Sequence, residues 1–172
     1  DPRKTSRTGY LNYKFIPIGA NKWDLTYGYS YATHLHLSWL RLADVYLMYA
    51  EAAAQAYGGA SGKDANYGKS AVEALNTIRA RAGVAEVNTK YTMTLDKFMD
   101  EVRRERAVEL SFEGHRFNDL RRWLLLDKYP YNIKTKQEFD RATVLDPKAD
   151  PKLNAVKNWR EEVIVTRNFD SK

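Results

Sequence analysis

Residues 38–57 read SWLRLADVYLMYAEAAAQAY, and this stretch decides the fold class. Apolar residues recur in it at intervals of three and four, which predicts one long α-helix with an apolar face. That face holds Leu42, Val45, Tyr46, Tyr49, Ala53 and Tyr57. A second apolar stripe holds Leu40, Leu47 and Ala54, so we expect the helix to pack against neighbours on at least two sides. Gly58-Gly59 predicts its C-terminal cap.

A second helix is predicted from about residue 66 to 82, with Gly83 as its cap. Its expected buried edge consists of Ala71, Leu75, Ile78 and Ala82. Two antiparallel helices joined by a short turn, the first rich in alanine and tyrosine, predict a helical hairpin of the tetratricopeptide type. One such pair cannot bury its own faces, so further helices are needed.

Two more helices follow in the sequence. Thr94 is the expected N-cap of the third, whose apolar face points Arg106 at least partly inward. Gly114 is expected to break that helix, and a fourth runs from about residue 116 to 126. The apolar face of the third helix consists of Leu95, Phe98, Met99 and Val102.

The flanks lack helical periodicity. Residues 1–33 combine a strand pattern with an aromatic loop, and residues 129–172 read as an irregular tail with one late strand at 163–165. We therefore predict a mainly α fold of tetratricopeptide-like helical hairpins with long irregular loops and a few short strands. It forms a single domain over 1–172, with its helical core at 34–128.

Composition excludes several classes of function. No apolar run approaches the roughly 20 residues that a membrane span requires. The absence of cysteine excludes a disulfide framework, a thiolate nucleophile and a cysteine-based zinc site. Basic residues exceed acidic ones by 28 − 22 = 6, but the two signs alternate along the helices, which disfavours nucleic acid as a partner.

Charged residues inside the helices have two interpretations. Paired carboxylates are the machinery of a glycoside hydrolase, but a general acid needs a raised pKa, and here each carboxylate has arginines close in sequence. A structural ion network therefore fits better, and we expect its loss to unfold the domain. Its predicted members are Glu51, Arg106, Glu109, Arg116 and Asp119.

Other catalytic or cofactor chemistry is not predicted. His34, His36 and His115 show no metal-ligand spacing with a carboxylate, and no His-Glu-x-x-His helix occurs. There is no nucleophile elbow and no phosphate-binding loop. We expect neither an enzyme nor a bound metal or cofactor.

Three segments, in order, resemble the SusD/RagB family. They are LRLADVYLMYAEA at 40–52, ALNTIRARAG at 74–83 and ERAVELSFEGHRFNDLRRW at 105–123. The resemblance implies a cell-surface lipoprotein of the bacterial outer membrane that captures glycans or other nutrients. It also implies a partner, a SusC-like TonB-dependent transporter that the tetratricopeptide-like helices face. The lipidated cysteine, the N-terminal half and the closing segments of the family are absent, so we expect a C-terminal portion whose lipid anchor lies elsewhere.

The aromatic loop before the first helix is the expected ligand site, because the resemblance places such a loop near the glycan. Flat rings offer sugars apolar area at little entropic cost, with Trp23 the best platform and Asp24 a hydrogen-bonding partner. The other candidate rings are Tyr27, Tyr29 and Tyr31. An alternative is that these rings only pack the loop onto the helices. The alternative function is a tetratricopeptide-like scaffold that docks the transporter and never binds glycan.

Overall fold

The computed structural model of the chain describes residues 14–15, 38–140 and 157–168. These residues divide after Arg116 into two units, each described by itself. Of the described residues, 38–116 belong to the helical unit, and 14–15, 117–140 and 157–168 belong to the ribbon unit. The helical unit is built from α-helices, and the ribbon unit contains a pair of strands.

Helices dominate the described part of the chain, so the predicted mainly α class is confirmed. They are α1 (Leu42–Tyr57), α2 (Ala71–Arg81), α3 (Leu95–Glu109) and α4 (His115–Arg122), with a short 3-10 turn at Thr89–Tyr91. As predicted, Thr94 caps α3, where its hydroxyl accepts a hydrogen bond from the backbone of Lys97. Gly58, with φ of 79°, caps α1.

Two helices begin later than predicted, and both differences have a local cause. Arg41 is extended, with φ of −137° and ψ of 160°, so α1 starts at Leu42 and not at residue 38. Ser70 forms a reciprocal capping box with Glu73, which fixes the start of α2 at Ala71 and not at residue 66. The Ser70 amide donates to the Glu73 carboxylate at 2.6 Å.

The core of the helical unit lies where α1, α2 and α3 meet. Phe98, Leu47 and Leu75 are fully buried there. Alanines of α1 let the other helices approach closely, because their side chains add little bulk. The remaining buried members include Ala50, Ala54, Ala71, Ala74, Ile78, Met99, Val102 and Leu110.

The buried face of α1 differs from the predicted one. Leu47, Ala50 and Ala54 face the core, whereas Leu42 and Val45 are exposed over 67% and 43% of their surface. The alanines are buried there because their small side chains allow the neighbouring helices to approach α1 more closely. The expectation that α1 packs against neighbours on at least two sides is met by α2 and α3, and α1 still presents an exposed apolar stripe of Leu42, Val45, Met48 and Ala52.

Tyrosines attach the loop after α1 to that helix. The Tyr49 hydroxyl donates to the Lys69 carbonyl at 2.6 Å, and its ring meets Tyr67 edge-on with centroids 4.6 Å apart. The Tyr57 hydroxyl donates to the Asp64 carboxylate at 2.9 Å. These three rings therefore pack a loop, a role that sequence alone cannot separate from ligand stacking.

The ribbon unit contains an antiparallel strand pair, β1 (Ile133–Asp140) and β2 (Lys157–Thr166). The late strand predicted at 163–165 lies within β2, and β1 is additional to the irregular tail expected at 129–172. Four of the eight residues of β1 are charged and both of its faces are only partly buried, so the sequence displays no clear apolar face there. Among the described residues, no other strand joins this ribbon.

The end of α4 contains a Schellman cap with an unusual residue. The amide of Leu125 donates to the Leu120 carbonyl at 2.8 Å, and that of Leu124 donates to the Arg121 carbonyl. Leu124 takes the left-handed conformation, with φ of 56°. The equivalent position after α2 is Gly83, with φ of 70°, which is the residue that this conformation favours.

Candidate functional site

The predicted ligand residues lie outside the part of the chain that the structure describes. This holds for all five, namely Trp23, Asp24, Tyr27, Tyr29 and Tyr31. His34 and His36 lie outside it as well. The described part of the site therefore consists of the helices that follow the aromatic loop in sequence and of the charged side chains that hold these helices together.

Arg41 binds α3 to the start of α1. Its guanidinium donates through Nε and Nη2 to the two carboxylate oxygens of Glu113, each at 2.7 Å. It also donates to the carboxylate of Glu109 and, at 2.6 Å, to the Glu109 carbonyl. The hydrogen bonds to Glu113, then those to Glu109, raise the pKa of Arg41. A planar guanidinium that donates several hydrogen bonds in this way is held in one orientation. The backbone at the start of α1 is therefore held in one position.

Glu109 also receives a second arginine. Arg81, at the end of α2, donates to its carboxylate at 2.6 Å. This carboxylate therefore joins the ends of α2 and α3 to the residue before α1. Sequence reasoning placed Glu109 in a network but did not identify Arg41 or Arg81 as its partners.

Arg106 points inward, as predicted, and forms a buried ion pair with Asp44 of α1. Its Nη1 lies 2.5 Å from Oδ1 of Asp44, and both side chains are about 95% buried. Asp44 was missed as a member of the network. A signal existed, because a single aspartate inside so apolar a helix requires a partner if it is buried.

A third cluster lies on the middle of α3. Arg104 binds the Glu101 carboxylate through two nitrogens, at 2.5 and 2.8 Å, and Arg79 of α2 binds Glu105 at 2.6 Å. The hydrogen bonds from Arg104 hold the pKa of Glu101 below its usual range. A carboxylate so paired stays ionised, which suits an ion pair and not a general acid.

The remaining predicted network residues do not join one cluster. Asp119 is buried and accepts from Arg122 of the same helix at 3.0 Å. The Arg122 guanidinium also covers the Trp123 ring, 4.5 Å from its centroid. Glu51 is half-buried and Arg116 exposed, and both take part in further interactions.

An open groove of about 430 Å³ lies between the start of α1 and the end of α2. Its floor is apolar, and two of the arginines that bind Glu109 form its rim. The lining consists of Arg41, Leu42, Ala43, Tyr46, Thr77, Ile78 and Arg81. Because both rim arginines are already paired with Glu109, the groove offers apolar contact more than free charge.

In the parts of the chain that can be described, no three histidine or carboxylate side chains cluster as a metal site would need. No helix in those same parts is both long and apolar enough to cross a membrane.

Comparison with known proteins supplies the family. A sequence model of the SusD family matches residues 1–169. The chain belongs to the SusD family. A solved structure, a SusD-like protein from Bacteroides fragilis, resembles the chain with a TM-score of 0.55 and 24% identity. The match covers 83% of this chain and 23% of that protein, so the chain spans less than a quarter of its length. No curated protein matches the chain.

The three segments that carried the resemblance lie on α1, on α2 and on the run from α3 through α4. The ion pairs of Arg41 and Arg106 join the first of these segments to the third.

Proposed function

We propose that this chain is part of a surface receptor that binds glycans and delivers them to a SusC-like TonB-dependent transporter. The receptor is anchored by lipid to the outer membrane through a segment outside these 172 residues. Binding relies on ring stacking and hydrogen bonds, without bond cleavage and without a cofactor. The observation that carries the proposal is the family match over residues 1–169, together with the three motif segments on successive helices.

The charge pattern supports a receptor over a nucleic-acid binder. A chain with a net charge of +6 attracts phosphates only if its cations are accessible. Arg41, Arg79, Arg104 and Arg106 are each bound to carboxylates on the helical unit. These four arginines are therefore already bound to carboxylates where the helices meet, which makes them poor contacts for a phosphate backbone.

The proposed ligand residues remain those of the aromatic loop. Trp23 stacks on a pyranose ring, with Tyr27, Tyr29 and Tyr31 as further platforms, and Asp24 accepts from sugar hydroxyls. The support for this role is the chemistry of the flat rings, which offer apolar area to a sugar at little entropic cost.

Affinity electrophoresis through gels that contain different polysaccharides tests the proposal. We expect retardation in at least one neutral-glycan gel, lost in Trp23→Ala. Trp39→Ala serves as the matched control, since Trp39 is 96% exposed and lies outside the aromatic loop. Equal retardation of the Trp23 variant and the control contradicts the assignment of the loop.

A docking scaffold is the second candidate, and the exposed apolar stripe of α1 favours it. Leu42, Val45 and Met48 lie one above another beside the groove, at spacings typical of a helix contact. A folded chain that binds the detergent-solubilised transporter but no glycan supports the scaffold. Val45→Glu then weakens transporter binding, whereas a change at exposed Gln55 leaves it intact.

A further inference from the structure

The strand ribbon has two chemically different faces. Residues of one face form ion pairs within and between the strands: Lys136 lies 2.5 Å from Glu138 of the same strand and 2.8 Å from Glu162 of the other, and Arg160 of β2 also binds Glu138. Because side chains alternate along a strand, the residues between them lie on the other face. We call this the aromatic face, and it comprises Thr135, Gln137, Phe139, Trp159, Glu161 and Val163.

A β-bulge lies at the two aromatic residues. Glu138 pairs with Arg160 and Asp140 pairs with Lys157, so Phe139 alone faces both Asn158 and Trp159. Asn158 is the extra residue, with φ of 52°, and its amide donates to the Asp140 carboxylate at 2.6 Å. Without the bulge, every residue of β2 before Trp159 would face the opposite side. The bulge thus interrupts the regular ladder at the position where Phe139 of β1 and Trp159 of β2 lie.

Both rings are accessible. Trp159 is 52% exposed and Phe139 is 38% exposed, and Val163 on the same face is 53% exposed. The next pair along the ribbon is Gln137 opposite Glu161, which adds an amide and a carboxylate beside the rings. Two platforms followed by hydrogen-bonding groups match a pyranose, whose faces are apolar and whose edge carries hydroxyls.

Charge decides which ligand fits. The ion pairs hold the charges of the opposite face together, so its four paired groups are not available to a ligand on the aromatic face. The aromatic face carries one charge, that of Glu161, and this charge repels an anionic chain. An uncharged oligosaccharide is therefore the complementary occupant, with Glu161 accepting from its hydroxyls.

We propose that the aromatic face of the ribbon binds an uncharged oligosaccharide, with one pyranose stacked on Trp159 and the chain continuing over Phe139. This inference rests on the proposed glycan-binding function and gives it a second contact surface. Gln137 and Glu161 bind the hydroxyls at the edge of the stacked ring. The surface is separate in sequence from the loop of Trp23.

Affinity electrophoresis of the whole 172-residue chain tests the inference, through gels of neutral and of anionic polysaccharides. We expect Trp159→Ala to weaken retention in the neutral gel by roughly tenfold, as the loss of one stacked ring implies. Trp39→Ala is the control and retains wild-type mobility. Circular dichroism checks that both variants keep their helices.

A second substitution separates stacking from packing. Trp159→Leu keeps apolar bulk in the ribbon but removes the π-face, whereas Trp159→Tyr keeps a ring. Stacking predicts weak retention for the leucine variant and near wild-type retention for the tyrosine variant. Equal retention of the leucine variant and the wild type overturns the inference.

The outcomes distinguish the inference from the function on which it rests. Retention that survives Trp159→Ala but disappears in Trp23→Ala overturns the ribbon surface and keeps the glycan receptor. Retention in anionic gels alone overturns the choice of an uncharged ligand. A wild-type chain that no gel retards overturns both for this part of the protein.

Discussion

The buried ion pair of Asp44 with Arg106 gives the sharpest test of what holds the helical unit together. Substitution Asp44→Ala leaves a guanidinium about 95% buried without that partner. Breaking a buried pair from one side costs about 3–5 kcal/mol, against the roughly 5–15 kcal/mol that stabilises a folded domain. At about 2–4 °C per kcal/mol for a chain of this size, the melting temperature falls by roughly 6–20 °C.

Urea unfolding followed by circular dichroism measures the loss, provided that the slope against urea is unchanged. Asp100→Asn is the matched control, because Asp100 pairs with Arg103 on the same helix at 2.9 Å but is 69% exposed. We expect a cost below about 1 kcal/mol for that control. The double variant Asp44→Leu with Arg106→Met removes both charges and recovers most of the loss.

Equal costs for Asp44→Ala and the exposed control would refute this reasoning. So would a double variant no more stable than Asp44→Ala, since the loss would then come from packing and not from an unpaired charge. The corresponding Arg106→Ala substitution unfolds the unit to at least the same degree, because Arg106 also takes part in further interactions.

Four further substitutions test the backbone and the charges. Leu124→Gly relieves a left-handed backbone conformation and raises the free energy of unfolding by about 0.5–1 kcal/mol. Gly83→Ala places a side chain in the same conformation and lowers the free energy of unfolding by about 1–2 kcal/mol. Thermal melts measure both changes. Gly62→Ala lowers the melting temperature sharply in the same assay, because its new Cβ would lie 2.5 Å from the Ala53 carbonyl oxygen, and an unchanged melt contradicts this contact. The lowered pKa of Glu101 adds stability above its ordinary pKa of 4.5, and that stability is lost as the pH falls below this value. Glu101→Gln therefore shows a flatter decline of melting temperature between pH 5 and roughly pH 3, and a decline as steep as the wild type's contradicts the assignment.

Sequence patterns predicted the helices well because their boundaries have local causes. Thr94 and Gly58 act through bonds to their own helices, so residue type alone identifies them. Periodicity also placed Arg106 on the inner face of α3. These features depend on neighbours within a few positions, which a single sequence contains.

The burial of α1 and its ion pairs could not be predicted in the same way. Leu42 and Leu47 have the same hydrophobicity, and only the approach of α2 and α3 decides which is buried. Partners such as Arg41 and Glu113 are 72 positions apart. A long-range pair leaves no spacing signal, although an isolated Asp44 in an apolar helix indicates that some partner exists.

The strand ribbon could not be predicted from the sequence for a different reason. Alternation identifies a strand when one face is buried, but β1 is half-buried on both faces and carries charges on one. Its pairing therefore depends on the register with β2, which the sequence does not display. The position of Trp159 on the aromatic face follows from the bulge, which residue alternation alone does not predict.

The four hydrogen bonds that hold the Arg41 side chain have a consequence for protein engineering. One side chain positions the backbone at the junction between the upstream segment and the helical unit, and its partners Glu109 and Glu113 both lie downstream. All the side chains in these contacts with Arg41 therefore belong to the helical unit itself. A different upstream segment, joined at residue 40 with Arg41 retained, would keep the same start of α1, so residue 40 is a natural splice point for chimaeras.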